Sequence, residues 1–136
     1  MISKLTHSSI FVLDQDSAYD FYVNKLGFKV NTDAPMGPGM RWLTVSPPEQ
    51  PDFEISLMHI KEGMVFNEDS AKVMRTLVEK GTFGFGVFEC KDLMATYTEL
   101  TEKGVEFMSP PKQEAYGFAA VFKDDSGNWF SLSQKE

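Results

Sequence analysis

One cysteine, Cys90, stands in 136 residues. No internal disulfide can form, and a reducing compartment is the expected setting. No apolar run approaches the roughly 18 residues a helix needs to cross a membrane. Met1 to Val12 lacks the basic start and cleavage signal of a secretory leader, so the expectation is a cytoplasmic protein with no membrane partner. Basic residues are scarce as well: 13 Lys and Arg stand against 20 Asp and Glu, for a net charge of −7. The deficit is spread along the chain, five basic against eight acidic side chains in residues 1–65 and eight against twelve in residues 66–136. Without clustered Lys and Arg to meet phosphates, a nucleic-acid partner is disfavoured. The acidity suits a cationic small ligand, although it is also the ordinary state of many soluble proteins. Cys90 has only Lys91 beside it and reads as a small core residue rather than a nucleophile.

What is present is a globular composition, 42% hydrophobic and 24% charged, and a pattern that occurs twice. In the last quarter, Phe118 to Phe122 and Trp129 to Ser133 flank the segment DDSGN. Asp and Ser side chains there can bond nearby backbone and Gly127 can take a positive φ, so the pattern predicts a β-hairpin with a chemically specified turn. Residues 39–58, GMRWLTVSPPEQPDFEISLM, again give an aromatic strand, a turn cluster of three prolines and an alternating strand. Counting back 76 positions from Phe118 gives Trp42. Upstream, Asp16 is expected to open a helix closed by Gly27, and Asp92 one closed by Gly104, so two halves repeat at an offset of 76 or 77. A period this long is a whole supersecondary unit.

In chain order, Lys4 to Leu13 is a predicted strand with His7, Ser9 and Phe11 on one face. A helix follows, then short strands over Phe28–Thr32, Met40–Ser46 and Phe53–Ile60. In the last of these Phe53, Ile55 and Leu57 alternate with Glu54, Ser56 and Met58, which puts chemistry on the mixed face. MGPGM, Met36 to Met40, is a loop. A linking helix is expected within 66–81, acidic at its start and followed by Gly81. The second half then gives a strand over Thr82–Glu89, a helix over Asp92–Lys103, a strand over Val105–Met108, a rigid turn at Pro110 and Pro111, and the final hairpin. The resulting organisation is one domain with a first module over 1–62 and a second over 82–136.

Each half reads strand, helix, strand, strand, strand. On THSSIFVLDQDSAYDFYVNKLGF, RWLTVSPPEQPDFEISLM and YGFAAVFKDDSGNWFSL, the chain resembles the vicinal oxygen chelate superfamily, which includes glyoxalase I, extradiol dioxygenases and the bleomycin and fosfomycin resistance proteins. The resemblance implies an α+β fold of two βαβββ modules whose cupped mixed sheets enclose a small-molecule pocket, and a homodimer. In metal-dependent relatives four strand positions supply His, Gln or Glu ligands to a divalent cation. His7 stands at the first. The counterpart 76 positions on is Phe83, the last-strand position falls on Ser131, and the middle-strand position is Ser56, or Glu54 with a two-residue shift. Two ligands at most remain, short of the three or so that a catalytic site takes.

The expectation is therefore a protein without a cofactor, binding a small aromatic or cationic molecule through Ser9, Phe11, Trp42, Ser56, Phe83, Phe85, Tyr116, Phe118 and Ser131, since aromatic linings with a few polar groups make ligand sites. The alternative is a metal-dependent lyase or extradiol-type dioxygenase. There His7 with Glu54 or Glu89 would act as metal ligands, or as a general base and its orienter. A vestigial pocket on an interaction module is the blandest reading. His59 lies across the pleat from Glu54 by alternation and does not complete a metal set.

Overall fold

Alternation on the central strands decides the architecture, because each strand has one side that must be taken out of water. In the computed structural model, which describes residues 1–136, the order is β1 (His7–Val12), α1 (Gln15–Tyr19) continued by a π-helical segment (Asp20–Lys25), β2 (Lys29–Pro35), β3 (Arg41–Ser46), β4 (Glu54–His59), α2 (Glu68–Glu79), β5 (Phe85–Cys90), α3 (Leu93–Glu102), β6 (Phe107–Glu114), β7 (Gly117–Lys123) and β8 (Trp129–Gln134). The chain divides into two units, Met1–Arg75 and Thr76–Glu136, with the division inside α2. Each holds a four-stranded mixed sheet, ordered β1-β4-β3-β2 in the first and β5-β8-β7-β6 in the second. The β1–β4 and β5–β8 pairs are parallel and the remaining pairs antiparallel. This is the α+β arrangement of two βαβββ modules.

In the first module Val12, Leu43, Val45, Ile55 and Leu57 point to one side of the sheet and are buried with Ala18, Phe21 and Tyr22 of the helix. The helix is capped by Asp14, whose Oδ1 accepts from the Asp16 and Ser17 backbone N–H groups. The expected cap, Asp16, instead accepts from Arg41 Nη1 at 2.7 Å. The wide turn that follows is closed by Leu26 N–H on the Phe21 carbonyl, and Gly27 ends the segment at φ 78°. In the second module the rings of Phe88, Phe107, Phe122 and Phe130 form one cluster, with Tyr97 of α3 edge-on to Phe107. Asn67 and Ser70 exchange hydrogen bonds ahead of α2, Ser70 N–H on Asn67 Oδ1 and Asn67 N–H on Ser70 Oγ; this reciprocal cap starts the linking helix.

Three sequence expectations are corrected here. Pro110 and Pro111 are not a turn: β6 runs through them, because β6 is an edge strand whose pairing with β7 is irregular between Ser109 and Lys112, and edges and bulges are where a residue without an N–H is tolerated. The strand expected from Thr82 starts at Phe85, since Gly84 has φ +89° and lies against the Asn128 side chain. Phe83 therefore precedes the strand. Tyr116, expected among the aromatic residues that bind a ligand, sits outside the strands in the turn between β6 and β7 and is 69% exposed.

Arg41 bridges β2 and β3 by a two-pronged pairing with Asp33, Nε to Oδ1 at 2.8 Å and Nη2 to Oδ2 at 2.9 Å. That pairing holds the Asp33 carboxyl below its ordinary value of 3.8. A carboxylate depressed on folding stabilises the folded chain above its unfolded value, and the contribution disappears as pH falls through the folded-state value. In melts followed by circular dichroism, Asp33→Asn should lose stability near neutrality and converge on the parent chain in acid strong enough to protonate Asp33 in the folded chain. An equal deficit at both pH values would mean the ion pair is not the source. The effect is modest, because the pair is partly solvated.

Candidate functional site

The side of the first sheet away from the helix carries polar and aromatic residues. The parallel register sets His7 against Glu54, Ser9 against Ser56 and Phe11 against Met58, and the antiparallel register sets Thr44 against Ser56. These residues share one face. His7 Nε2 lies 3.1 Å from Glu54 Oε2, and the other ring nitrogen, Nδ1, lies 2.8 Å from Thr6 Oγ1. Thr44 donates to Glu54 Oε1 at 2.7 Å. With the carboxylate ionised, Nε2 carries the proton it donates to Glu54, and Nδ1 accepts from the Thr6 hydroxyl. The Trp42 ring stands 6.3 Å from the His7 ring. Phe11 meets Phe66 edge-on at 5.3 Å. Thr44 and Ser56 are buried, whereas His7 and Glu54 keep 41% and 28% of their side chains exposed. The pair is thus accessible, with Glu54 oriented by the buried Thr44 and His7 by the exposed Thr6.

Sequence reasoning passed over Thr44 and Thr6. Thr44 is two residues from Trp42 in RWLTVS, so strand alternation places it on the face of Trp42, and that signal was available. Thr6 lies just outside the strand and has no such signal. His59 occupies the opposite side, as alternation requires. Burial lowers its pKa, assisted by the cations Lys61 and Arg75.

In the second module the equivalent face carries Phe85, Val87 and Glu89 of β5 against Trp129, Ser131 and Ser133 of β8. The Phe85 and Trp129 rings are 4.5 Å apart. Register defines the equivalence of the modules better than counting does. His7–Glu54 opens the parallel pair in the first module and Phe85–Trp129 opens it in the second, so the counterpart of His7 is Phe85 and not Phe83. Likewise Thr44 faces Ser56 and Val121 faces Ser131, which makes Ser131 the counterpart of Ser56 and Ala119 that of Trp42. Phe118 then falls on the helix-facing side with Phe122, and the structure does not bring it together with Ser131. A slip of one residue reverses every side chain.

His7 and Glu54 fall short of a catalytic divalent-metal site. Such sites take about three protein ligands, and no group of three or more His, Cys, Asp or Glu positioned to hold a cation occurs in the chain. Both carboxylate oxygens of Glu54 already accept hydrogen bonds.

Two βαβββ modules with this face define a class. The chain belongs to the glyoxalase/bleomycin resistance protein/dioxygenase superfamily, whose family model matches residues 4–132. It is similar to the solved structure of UcmS2, with 43% identity, a TM-score of 0.92, and 99% of this chain and 100% of that one covered. It is also similar to TnmS3, an antibiotic binding protein from Streptomyces sp. CB03234, at 30% identity and a TM-score of 0.76 over 99% of this chain and 98% of that one. Among sequences, it is 36% identical to the uncharacterized protein YurT of Bacillus subtilis (strain 168), covering 97% of this chain and 99% of the relative. No helix is long and apolar enough to cross a membrane.

Proposed function

We propose that the protein binds a small aromatic or cationic molecule on the His7–Trp42 face, without a metal ion at the family's metal position. The observation that carries this reading is the donor set: His7 and Glu54 are bonded to each other, with Trp42 beside them and no third ligand. A flat ring can lie on Trp42, and a cation gains both from that ring and from the Glu54 carboxylate. The antibiotic-binding relative TnmS3 supports the small-molecule class. A homodimer, formed through the open sheet edges at β1, β2, β5 and β6, and a cytoplasmic location belong to the same proposal.

A second reading rests on one arrangement, the hydroxyl, imidazole and carboxylate of Thr6, His7 and Glu54 in hydrogen-bonded series. In an enzyme His7 would take a proton from substrate at Nδ1, and Glu54 would steady the imidazolium that forms.

The test uses acridine and N-methylacridinium as neutral and cationic probes, titrated by calorimetry with and without chelator, alongside metal content by mass spectrometry. Binding unchanged by chelator and weakened about tenfold by Trp42→Ala is expected, the scale of one aromatic or cation–π contact. Near-stoichiometric divalent metal that disappears in His7→Ala would overturn the proposal in favour of a lyase or dioxygenase.

A further inference from the structure

The second module presents the same strand positions with different chemistry. Where the first has the His7–Glu54 ion pair, the second has Phe85 and Trp129 in ring contact. Phe85 and Val87 are 60% and 63% exposed, although the other side of the same sheet buries Phe122, Phe130 and Leu132. Phe85 and Val87, with the half-buried Trp129 ring against Phe85, make a contiguous apolar group on one sheet face, the kind of surface that marks a binding site. A second observation points the same way. Ser131, in register with Val87 and on the face of Trp129, is 7% exposed, and its hydroxyl has no hydrogen-bond partner. A buried hydroxyl left unpaired is costly, so its retention at the centre of an aromatic surface calls for a partner that arrives from outside.

We infer that this face is a stacking platform for a flat aromatic molecule bearing a hydroxyl or carbonyl group, with the rings on Phe85 and Trp129 and the polar substituent bonded to the Ser131 hydroxyl. The inference rests on the reading of the protein as a small-molecule binder and adds what that molecule must carry. The hydroxyl is covered in the free chain, and reaching it takes a rotamer change of Val87, which is in register with Ser131 and 63% exposed, while Phe85 stays against the Trp129 ring.

The experiment compares 2-naphthol with naphthalene on the full chain by titrations in which the indole N–H resonances are followed. The chain has two tryptophans, Trp42 in the first module and Trp129 in the second, so the two signals report the modules separately. The Trp129 signal should move, with 2-naphthol bound roughly 3- to 10-fold more tightly than naphthalene, the worth of one net hydrogen bond. Ser131→Ala should abolish that ratio while leaving the melting temperature unchanged or higher, since it removes an unsatisfied group. Phe85→Ala should weaken both probes. Movement of the Trp42 signal alone would overturn this inference and leave the binding function standing. A ratio that survives Ser131→Ala, or a lower melting temperature in that variant, would assign the hydroxyl a structural role instead. Silence of both signals with both probes would count against the binding reading itself.

Discussion

Gly127→Ala is expected to cost about 3–5 kcal/mol of folding free energy, in the range reserved for substitutions the backbone cannot absorb. Gly127 has φ +116°, where a side chain is strained, and an added Cβ would lie 2.3 Å from the Val78 carbonyl oxygen and 3.4 Å from that of Glu79. Those oxygens belong to the end of α2, so relief requires moving a helix terminus or the loop as a whole. Gly84 offers an informative contrast. Its Cβ would come even closer, 1.7 Å, but to the Asn128 side-chain oxygen, and a side chain can rotate at the cost of its hydrogen bond. Urea denaturation of Gly127→Ala should show a midpoint shift equivalent to a melting-temperature loss of about 10–20 °C. A loss under about 1 kcal/mol would show that the loop gives way freely.

Asp124→Ala is expected to be nearly as severe, about 3–4 kcal/mol, because it strands several groups at once. Asp124 is 7% exposed. Its Oδ1 accepts from the backbone N–H groups of Ser126, Gly127 and Asn128, each at 2.9 Å, and its Oδ2 accepts from Asn128 Nδ2 at 2.9 Å. One carboxylate therefore replaces the strand ladder through the whole turn. Alanine leaves buried donors without an acceptor. Asp124→Asn keeps one oxygen but sets an amide donor against a donor, and an intermediate loss is expected. Should the alanine variant fail to fold, the asparagine variant still decides the matter by chemical denaturation. Parent-like stability there would mean that the charge and the Asn128 contact contribute nothing and that the Oδ1 acceptor alone holds the loop.

The same loop shows what the sequence made legible. DDSGN between two aromatic runs specifies a hairpin turn because Asp and Gly each perform a local task visible in their chemistry. The mixed face of β4 was legible for a similar reason: Ile55 and Leu57 alternate with Glu54 and Ser56, and a period of two needs no knowledge of neighbours. The partnership of His7 with Glu54 was only half legible. Each could be assigned a face, but their apposition depends on parallel pairing between strands separated by a helix and a hairpin. Counting at a fixed offset failed at Phe83 and Phe118 because the modules differ by a residue here and there, and each such difference turns a strand over. The prolines of β6 misled because their tolerance depends on the strand lying at an edge, a property of the assembled sheet.

The helix of the first module runs from its cap at Asp14 to its closing glycine at Gly27, and that of the second from Asp92 to Gly104. The first is longer by one residue, and it alone contains a π-helical segment. A wide turn consumes one more residue than an ordinary one while leaving the chain's direction unaltered. The two halves of the gene can therefore differ by a codon at this place without displacing a strand, because the helix absorbs the difference in a single turn and returns Phe21 and Tyr22 to the core. One residue can thus be gained or lost in that helix without a change in the strands that carry His7 and Glu54.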